Sequence, residues 1–414
     1  MVRTATGLAW LALLLPFVAA IAAAQAPPRD AGRPGAAPGP PAALSAFDRF
    51  FDARLTEQGI VGASFVLVRG DRVAHARTFG FADLESRRPV DADTIFHWAS
   101  ITKTFTAIAI MQLRDRGLLS LDDAIVKYLP ELRQVHNPYG SMDAITLRML
   151  MSHSAGFRAS TWPWGGDQDW HPFEPPGWAQ VSAMLPYTKI EFPPGSKYSY
   201  SNPGIIFLGR VIELLTGDDY EVYVDKNILK PLEMYRSFFD AAPYHLAAHR
   251  SHSYFWKNGA PAEARFDFNT GITVSNGGLN APLTDMAKYM GFLIGNPARR
   301  AVYDGVLLRT SLEEMWKPVV PAVPAEGTDQ QGAKMGLCFF LEEHGGLAFV
   351  AHSGSQNAFI SHFYVNVANR TAYVVAFNTV AEPVGPDGKG NTRQVDRDVR
   401  DYVVRNVIPA LAAR

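Results

Sequence analysis

Residues 98–107 read "WASITKTFTA". A serine, Ser100, is followed three places on by a lysine, Lys103, with an apolar run behind them. On a helix, positions i and i+3 share a face, so the two side chains can meet. A serine in the first turn also places its own N–H among the unpaired donors of the helix end. With the positive end of the dipole, that N–H can hold an oxyanion. A neighbouring lysine can then help deprotonate the hydroxyl if burial depresses its own pKa. The plainer reading of the same letters is a serine N-cap followed by a solvated lysine. The stretch by itself leaves both open.

Working outward, "ASITKTFTAIAIMQLRDRG" (99–117) predicts a helix with Ile101, Phe105, Ile108 and Leu113 on its apolar face, ended by Gly117. Upstream, "LSAFDRFFDARLTEQG" has helical spacing and stops at Gly59, and "GASFVLVRGDRVAHARTFG" (62–80) predicts a hairpin about Gly70-Asp71. Residues 118 to about 330 mix helical pieces, such as 205–217 and 283–295, with long Pro/Gly/Trp loops. Four β-like runs follow: "KMGLCFFLEE", "LAFVAHS", "NAFISHFYVNV" and "TAYVVAFNTV". An amphipathic helix over 392–413 closes the chain. Strands at both ends and helices between predict an α/β (α+β) domain over 45–414. Its antiparallel sheet comes from both termini (about 45–117 and 331–414), with terminal helices on one face and a mainly helical lobe of about 118–330 beside it. A cleft between two such lobes suits a substrate.

The chain has 414 residues, 47% hydrophobic and 19% charged, a formal charge of −1 and a single cysteine, Cys338. With no basic stripe, nucleic acid is a poor partner, and one cysteine makes an intrachain disulfide framework impossible. Arg3 followed by "GLAWLALLLPFVAAIAAA" (7–24) predicts a cleaved export signal, with the cut favoured after Ala24. The same run is just long enough to act as an uncleaved anchor. Residues 25–44, rich in proline, glycine and alanine, predict a flexible tether. The expectation is a secreted or periplasmic protein with no stable membrane insertion once the signal is cut. The sequence assigns no oligomeric state.

Two further short motifs supply what a serine–lysine pair lacks. "FPPGSKYSYSNPG" (192–204) is a loop leading into a helix and carries Tyr200-Ser201-Asn202. A tyrosine near a lysine can be held as phenolate, or share its proton, and act as general base. Asn202 is placed to bond Lys103 and a substrate carbonyl; otherwise it caps the helix. In "AHSGSQNAF" (351–359), His352-Ser353-Gly354 ends one β-like run. Gly354 would let a substrate approach the strand backbone, and the Ser355 N–H would be the second oxyanion donor. The competing Tyr364-Val365-Asn366 reads as sheet, and His344-Gly345-Gly346 as a turn.

Taken together, the three motifs resemble the serine hydrolases related to class C β-lactamases and D-Ala-D-Ala carboxypeptidases, in which Ser-x-x-Lys on a helix is a signature. The resemblance runs over about 45–411. It includes "DADTIFHWASITKTFTAIAIMQLRDRGLLSLDDAIVKYLPEL", "ITLRMLMSHSAGF", "FPPGSKYSYSNPGIIFLGRVIELLTG" and "NGGLNAPLTDMAKYM". It implies a β-lactamase/transpeptidase-like fold and an acyl-enzyme on Ser100, with Lys103 and Tyr200 as proton-transfer pair and Asn202 as carbonyl-binding group. Substrates would be small esters, amides or peptides, and the reaction needs neither metal nor cofactor. His352 stands where β-lactamases of this group carry the lysine of Lys-Thr-Gly, as in related esterases, amidases and D-amino-acid peptidases. With a reference pKa of about 6.5, histidine would be only partly cationic at neutral pH. Esterase or D-amino-acid peptidase/amidase activity is therefore expected ahead of β-lactamase. A sensor that is acylated without turnover is the non-enzymatic alternative.

Other features weigh less. His245, His249 and His252 fall at i, i+4 and i+7, a spacing that could suit zinc on a helix, but without a following glutamate they read as structural or surface histidines. His153 reads as packing or capping. Trp162, Trp164, Trp170 and Trp178 read equally as a ligand-binding rim or as a cluster pinning a loop. No Gly-x-Ser-x-Gly elbow, phosphate-binding loop or dinucleotide fingerprint occurs.

Overall fold

The computed structural model describes residues 42–161, 175–264, 269–321 and 332–412. The leader (1–24), nearly all of the tether, and Trp162, Trp164 and Trp170 lie outside these residues. The elements used below are, in chain order, α1 (Ala42–Gln58), β1 (Gly62–Arg69), β2 (Arg72–Asp83), β3 (Arg88–Pro89), β4 (Ile95–His97), α2 (Thr102–Asp115), α3 (Asn202–Thr216), α4 (Val274–Gly277), β5 (Leu279–Pro282), α5 (Leu283–Ile294), β6 (Val320–Pro321), β7 (Lys334–Met335), β8 (Phe340–His344), β9 (Leu347–Gln356), β10 (Phe359–Asn366), β11 (Thr371–Phe377) and α6 (Thr392–Tyr402).

A nine-stranded sheet runs β3-β2-β1-β11-β10-β9-β8-β7-β6, every neighbouring pair antiparallel. The first hairpin and the last strands thus share one sheet, joined where β1 pairs β11 with Phe65 opposite Val375. Alternation sorts the side chains. On β1, Val66 and Val68 join the core that contains α2 and α5, while Phe65 and Leu67 join the core under α1 and α6. The mixed composition and the antiparallel sheet with helices on both faces match the architecture that the resemblance implies.

Several ends form for the expected reasons. Gly59, Gly117 and Gly217 each take a left-handed backbone just past a helix. The run "KMGLCFFLEE" behaves otherwise. It splits into β7 and β8 because Cys338 adopts φ +59 and its N–H turns away to Met151 O at 2.7 Å.

Helix α2 is buried on every side from Thr102 to Leu113, not only on an apolar face. Its threonines make this tolerable by bonding inside the core. Thr104 Oγ1 donates to Ile101 O, and Thr106 Oγ1 to Ser275 O at 2.6 Å; Thr102 Oγ1 accepts the Leu279 N–H at 3.0 Å. Among the described residues, no helix is long and apolar enough to cross a membrane.

Candidate active site

Strand β4 delivers the chain to the serine. Trp98 is fully buried and doubly anchored to β5: its N–H reaches Leu279 O at 2.8 Å and its indole Nε1–H reaches Ala281 O at 2.9 Å. Ala99 then takes φ +46, an uncommon conformation for a residue with a Cβ. The chain enters a 3-10 turn, Ala99–Ile101, before α2. Ser100 therefore sits on that turn, ahead of the α-helix and not in its first α-helical turn. The first N–H groups of a helical turn lack partners within it, and that of Ser100 is among them.

Lys103 is completely buried. Its Nζ donates to Ser100 Oγ at 3.0 Å and to Asn276 O at 2.8 Å, and lies 5.0 Å from the centre of the Tyr200 ring. The solvated-lysine reading fails on this burial. Asn276, on α4, was not among the expected residues. It acts through a backbone carbonyl, and any residue type at that position would supply one.

The Tyr200 hydroxyl bonds the Ser100 side chain, and burial pushes the phenol well above its ordinary range. The free site thus holds a neutral phenol, not a standing phenolate. His153, at φ +52, fixes this loop. Its ring stacks on Tyr200 with centroids 4.4 Å apart, and its Nδ1 accepts the Ser201 N–H at 3.1 Å. Helix α3 is capped by Ser201, whose Oγ accepts the Gly204 N–H at 3.2 Å. Asn202 is then its first residue, half-buried, with its own N–H on Ala159 O.

His352 lies buried on β9. Its Nδ1 is 2.7 Å from Ser353 O, so Nδ1 carries the proton and Nε2 a lone pair. Nε2 is buried and has no hydrogen-bond partner among the described residues. Burial first, and then the Lys103 charge, push this imidazole down to about 3. This corrects the expectation of a partly cationic group: at neutral pH His352 is an uncharged acceptor.

Gly354 also needs correction. A Cβ there would overlap the Trp98 carbonyl oxygen and sit 2.6 Å from Ser361 Oγ. The space is taken by the Trp98 carbonyl at the start of the serine-bearing turn, so the glycine lets β9 lie against that turn. Ser355 follows, exposed, with its Oγ accepting from Arg393 Nη2 at 3.1 Å. Beyond it, Gln356 Oε1 meets His97 Nε2 at 3.0 Å while His97 Nδ1 meets Asn280 Oδ1 at 3.1 Å, which ties the end of β9 to β4 and β5. Arg393 lay in the predicted C-terminal helix, and His97 and Asn280 in stretches that carry the family resemblance, but the sequence singled out none of the three.

The features set aside stay apart. Tyr364 and Asn366 belong to β10, Asn366 bonding Ala348 O at 2.9 Å. Gly345 and Gly346 turn β8 into β9, and His344 pairs with Glu342. The helix holding His245 spans only Tyr244–Ala247, so the three histidines share no helix face, and His252 bonds Glu263 at 2.9 Å. Among the described residues no group of three or more metal-ligating side chains could hold an ion. Trp178 packs on the core with its indole N–H on Glu131 Oε1, the role of a loop pin.

Three buried histidines set an acid limit. His97 is pushed down to about 4 and His352 to about 3, and His153 lies well below 6.5, each mainly by burial. In the unfolded chain each returns to about 6.5. Between these values the unfolded state binds more protons, so stability present above pH 6.5 is lost as the pH falls toward the folded values. The slope is up to about 1.4 kcal/mol per pH unit for each histidine. Urea midpoints measured from pH 7.5 to 4.5 should fall steadily, and less steeply in His352→Gln. A flat series would contradict the burial of neutral imidazoles.

Three comparisons bear on this arrangement. The family model described as Beta-lactamase matches residues 47–397. Among curated proteins, Esterase EstB of Burkholderia gladioli is 32% identical over 212 residues, 48% of this chain and 54% of that protein. The chain spans 48 to 63% of the length of the curated relatives it matches. Among solved structures, the octameric penicillin-binding protein homologue from Pyrococcus abyssi is 27% identical with a TM-score of 0.69, covering 81% of this chain and 73% of that one. The D-amino acid amidase from Ochrobactrum anthropi SV3 shares the fold, with a TM-score of 0.71 at 20% identity over 87% of this chain and 98% of that one.

Proposed function

The chain belongs to the β-lactamase family, and from that premise we propose that it is an exported serine hydrolase cleaving an ester or amide bond through an acyl group on Ser100. The observation that carries the reading is the buried Lys103 Nζ, 3.0 Å from Ser100 Oγ with the Tyr200 hydroxyl on the same oxygen. Ser100 Oγ attacks the carbonyl carbon as its proton passes to the Lys103/Tyr200 pair; with the phenol neutral, the acceptor is Lys103 Nζ in its unprotonated form, reached directly or through the Tyr200 hydroxyl. The oxyanion rests on the N–H groups of Ser100 and Ser355, and Asn202 orients the acyl side. The pair returns the proton to the leaving alcohol or amine, and water then releases the acid by the reverse sequence. Residues 1–24 direct export, and 25–44 tether the hydrolase domain.

The third wall favours an ester or a neutral amide. A lysine there would attract a carboxylate; His352, buried and uncharged, supplies no cation for one. Similarity to an esterase and a shared fold with a D-amino acid amidase support the same choice. A fluorophosphonate probe should label the protein and fail to label Ser100→Ala; label retained by that variant would overturn the assignment. Against p-nitrophenyl esters, D-alanyl amides and a chromogenic cephalosporin, turnover is expected in that order. A burst without turnover on all three would mark a sensor instead.

A further inference from the structure

We infer that the cavity at the C-terminal end of α5 is a second ligand site, shaped for an amphipathic carboxylate. Helix α5 stops at Gly295, φ +79. Between this end, the two short helices Arg300–Val306 and Arg309–Met315, and the turn joining β10 to β11 lies a cavity of about 430 Å³. That volume falls in the range of small-molecule sites, about 300–1,000 Å³. It shares no lining residue with Ser100, Lys103, Tyr200 or His352, so the inference stands apart from the hydrolytic reading.

Its floor is apolar: Phe292, Tyr303, Leu307 and Leu312, all buried. Its rim is positive: Arg300, Arg309 and Arg370 against one acid, Asp304. Arg309 Nη1 bonds Leu293 O at 2.7 Å and Arg370 Nη2 bonds Gly295 O at 3.3 Å, so both guanidinia converge on the last carbonyls of α5. Glu313 and Asp304 offset Arg309 and Arg300, through Nε contacts of 2.8 and 3.1 Å. Arg370 bonds a carbonyl and is in no ion pair among the described residues, so its charge is available at the rim.

Helix capping by cations explains why two arginines stand here, but not the apolar hollow beneath them. A guanidinium has five N–H donors in a fork that fits a carboxylate, and these contacts use only part of the set. An apolar body on the floor with a carboxylate at the rim satisfies both surfaces. A cation would meet the wrong charge, and a small polar anion would leave the floor uncovered.

The test titrates decanoate and decanol calorimetrically into the full chain. Its variants are Arg300→Glu/Arg370→Glu and Thr310→Trp, all at exposed rim positions, with thermal melts to verify folding. Decanoate should bind saturably at one site. The charge reversal should weaken it at least roughly tenfold while changing decanol less than twofold, and Thr310→Trp, which sets an indole across the mouth, should weaken both. Equal decanoate affinity in all three proteins would move binding elsewhere, the catalytic cleft included, and overturn the proposal. So would the lack of saturable binding up to about millimolar decanoate.

Discussion

Lys103→Met should remove at least about 10³-fold of kcat/KM, equivalent to about 4 kcal/mol of transition-state stabilisation, with KM nearly unchanged and the melting temperature equal or higher. The expectation follows from where the Lys103 amine sits. It is buried without exposure, and it contacts the nucleophile oxygen at 3.0 Å and one backbone carbonyl at 2.8 Å. A fully buried amine is costly to charge, and an apolar side chain of similar length often costs less. Its retention is then a matter of chemistry. A lysine kept only for packing would give the reverse pattern, a lower melting temperature with turnover intact. Steady-state kinetics on an activated ester together with a thermal melt separate the two. Because the loss concerns proton transfer, kcat carries it; a rise in KM alone would reassign Lys103 to substrate binding.

What the sequence could say about this site depended on how each residue acts. Ser100 and Lys103 were legible because an i, i+3 pair on a helical turn meets whatever the rest of the fold does. The sheet was legible from β-rich runs at both ends of the chain, and the helix ends from single glycines such as Gly117 and Gly217. The Asn276 carbonyl left no trace, because every residue has one. Protonation was equally hidden. The reference pKa of histidine suggested a partial cation at His352, and only its complete burial beside Lys103 makes it neutral. His153 carried a motif but not its use, since a ring stacked on Tyr200 is a product of two loops meeting. The break at Cys338 had no signal either, lying inside an unbroken apolar run.

Gly354→Ala gives the second large effect and decides between two uses of that glycine. If the glycine admits substrate, an added methyl group should raise KM for bulky acyl groups and leave both stability and small esters alone. The structure argues for the other use. The methyl carbon would overlap the Trp98 carbonyl and crowd Ser361 Oγ at 2.6 Å. That carbonyl cannot retreat cheaply, because it also accepts the Ile101 N–H at 3.2 Å and stands in a segment pinned twice to β5. Strand β9 must move instead, at the overpacking cost of about 1–3 kcal/mol, which carries the Ser355 N–H away from the Ser100 N–H. Losing alignment of one oxyanion donor costs about 10²–10³ in kcat. The variant is therefore expected to lose that much turnover on small and bulky esters alike, with a lower melting temperature. Ser361→Ala should fail to restore it, since the Trp98 clash remains. Fluorophosphonate should still label Ser100, more slowly, because the nucleophile and Lys103 are untouched. A variant with wild-type kcat on small esters would return Gly354 to the substrate side of the cleft.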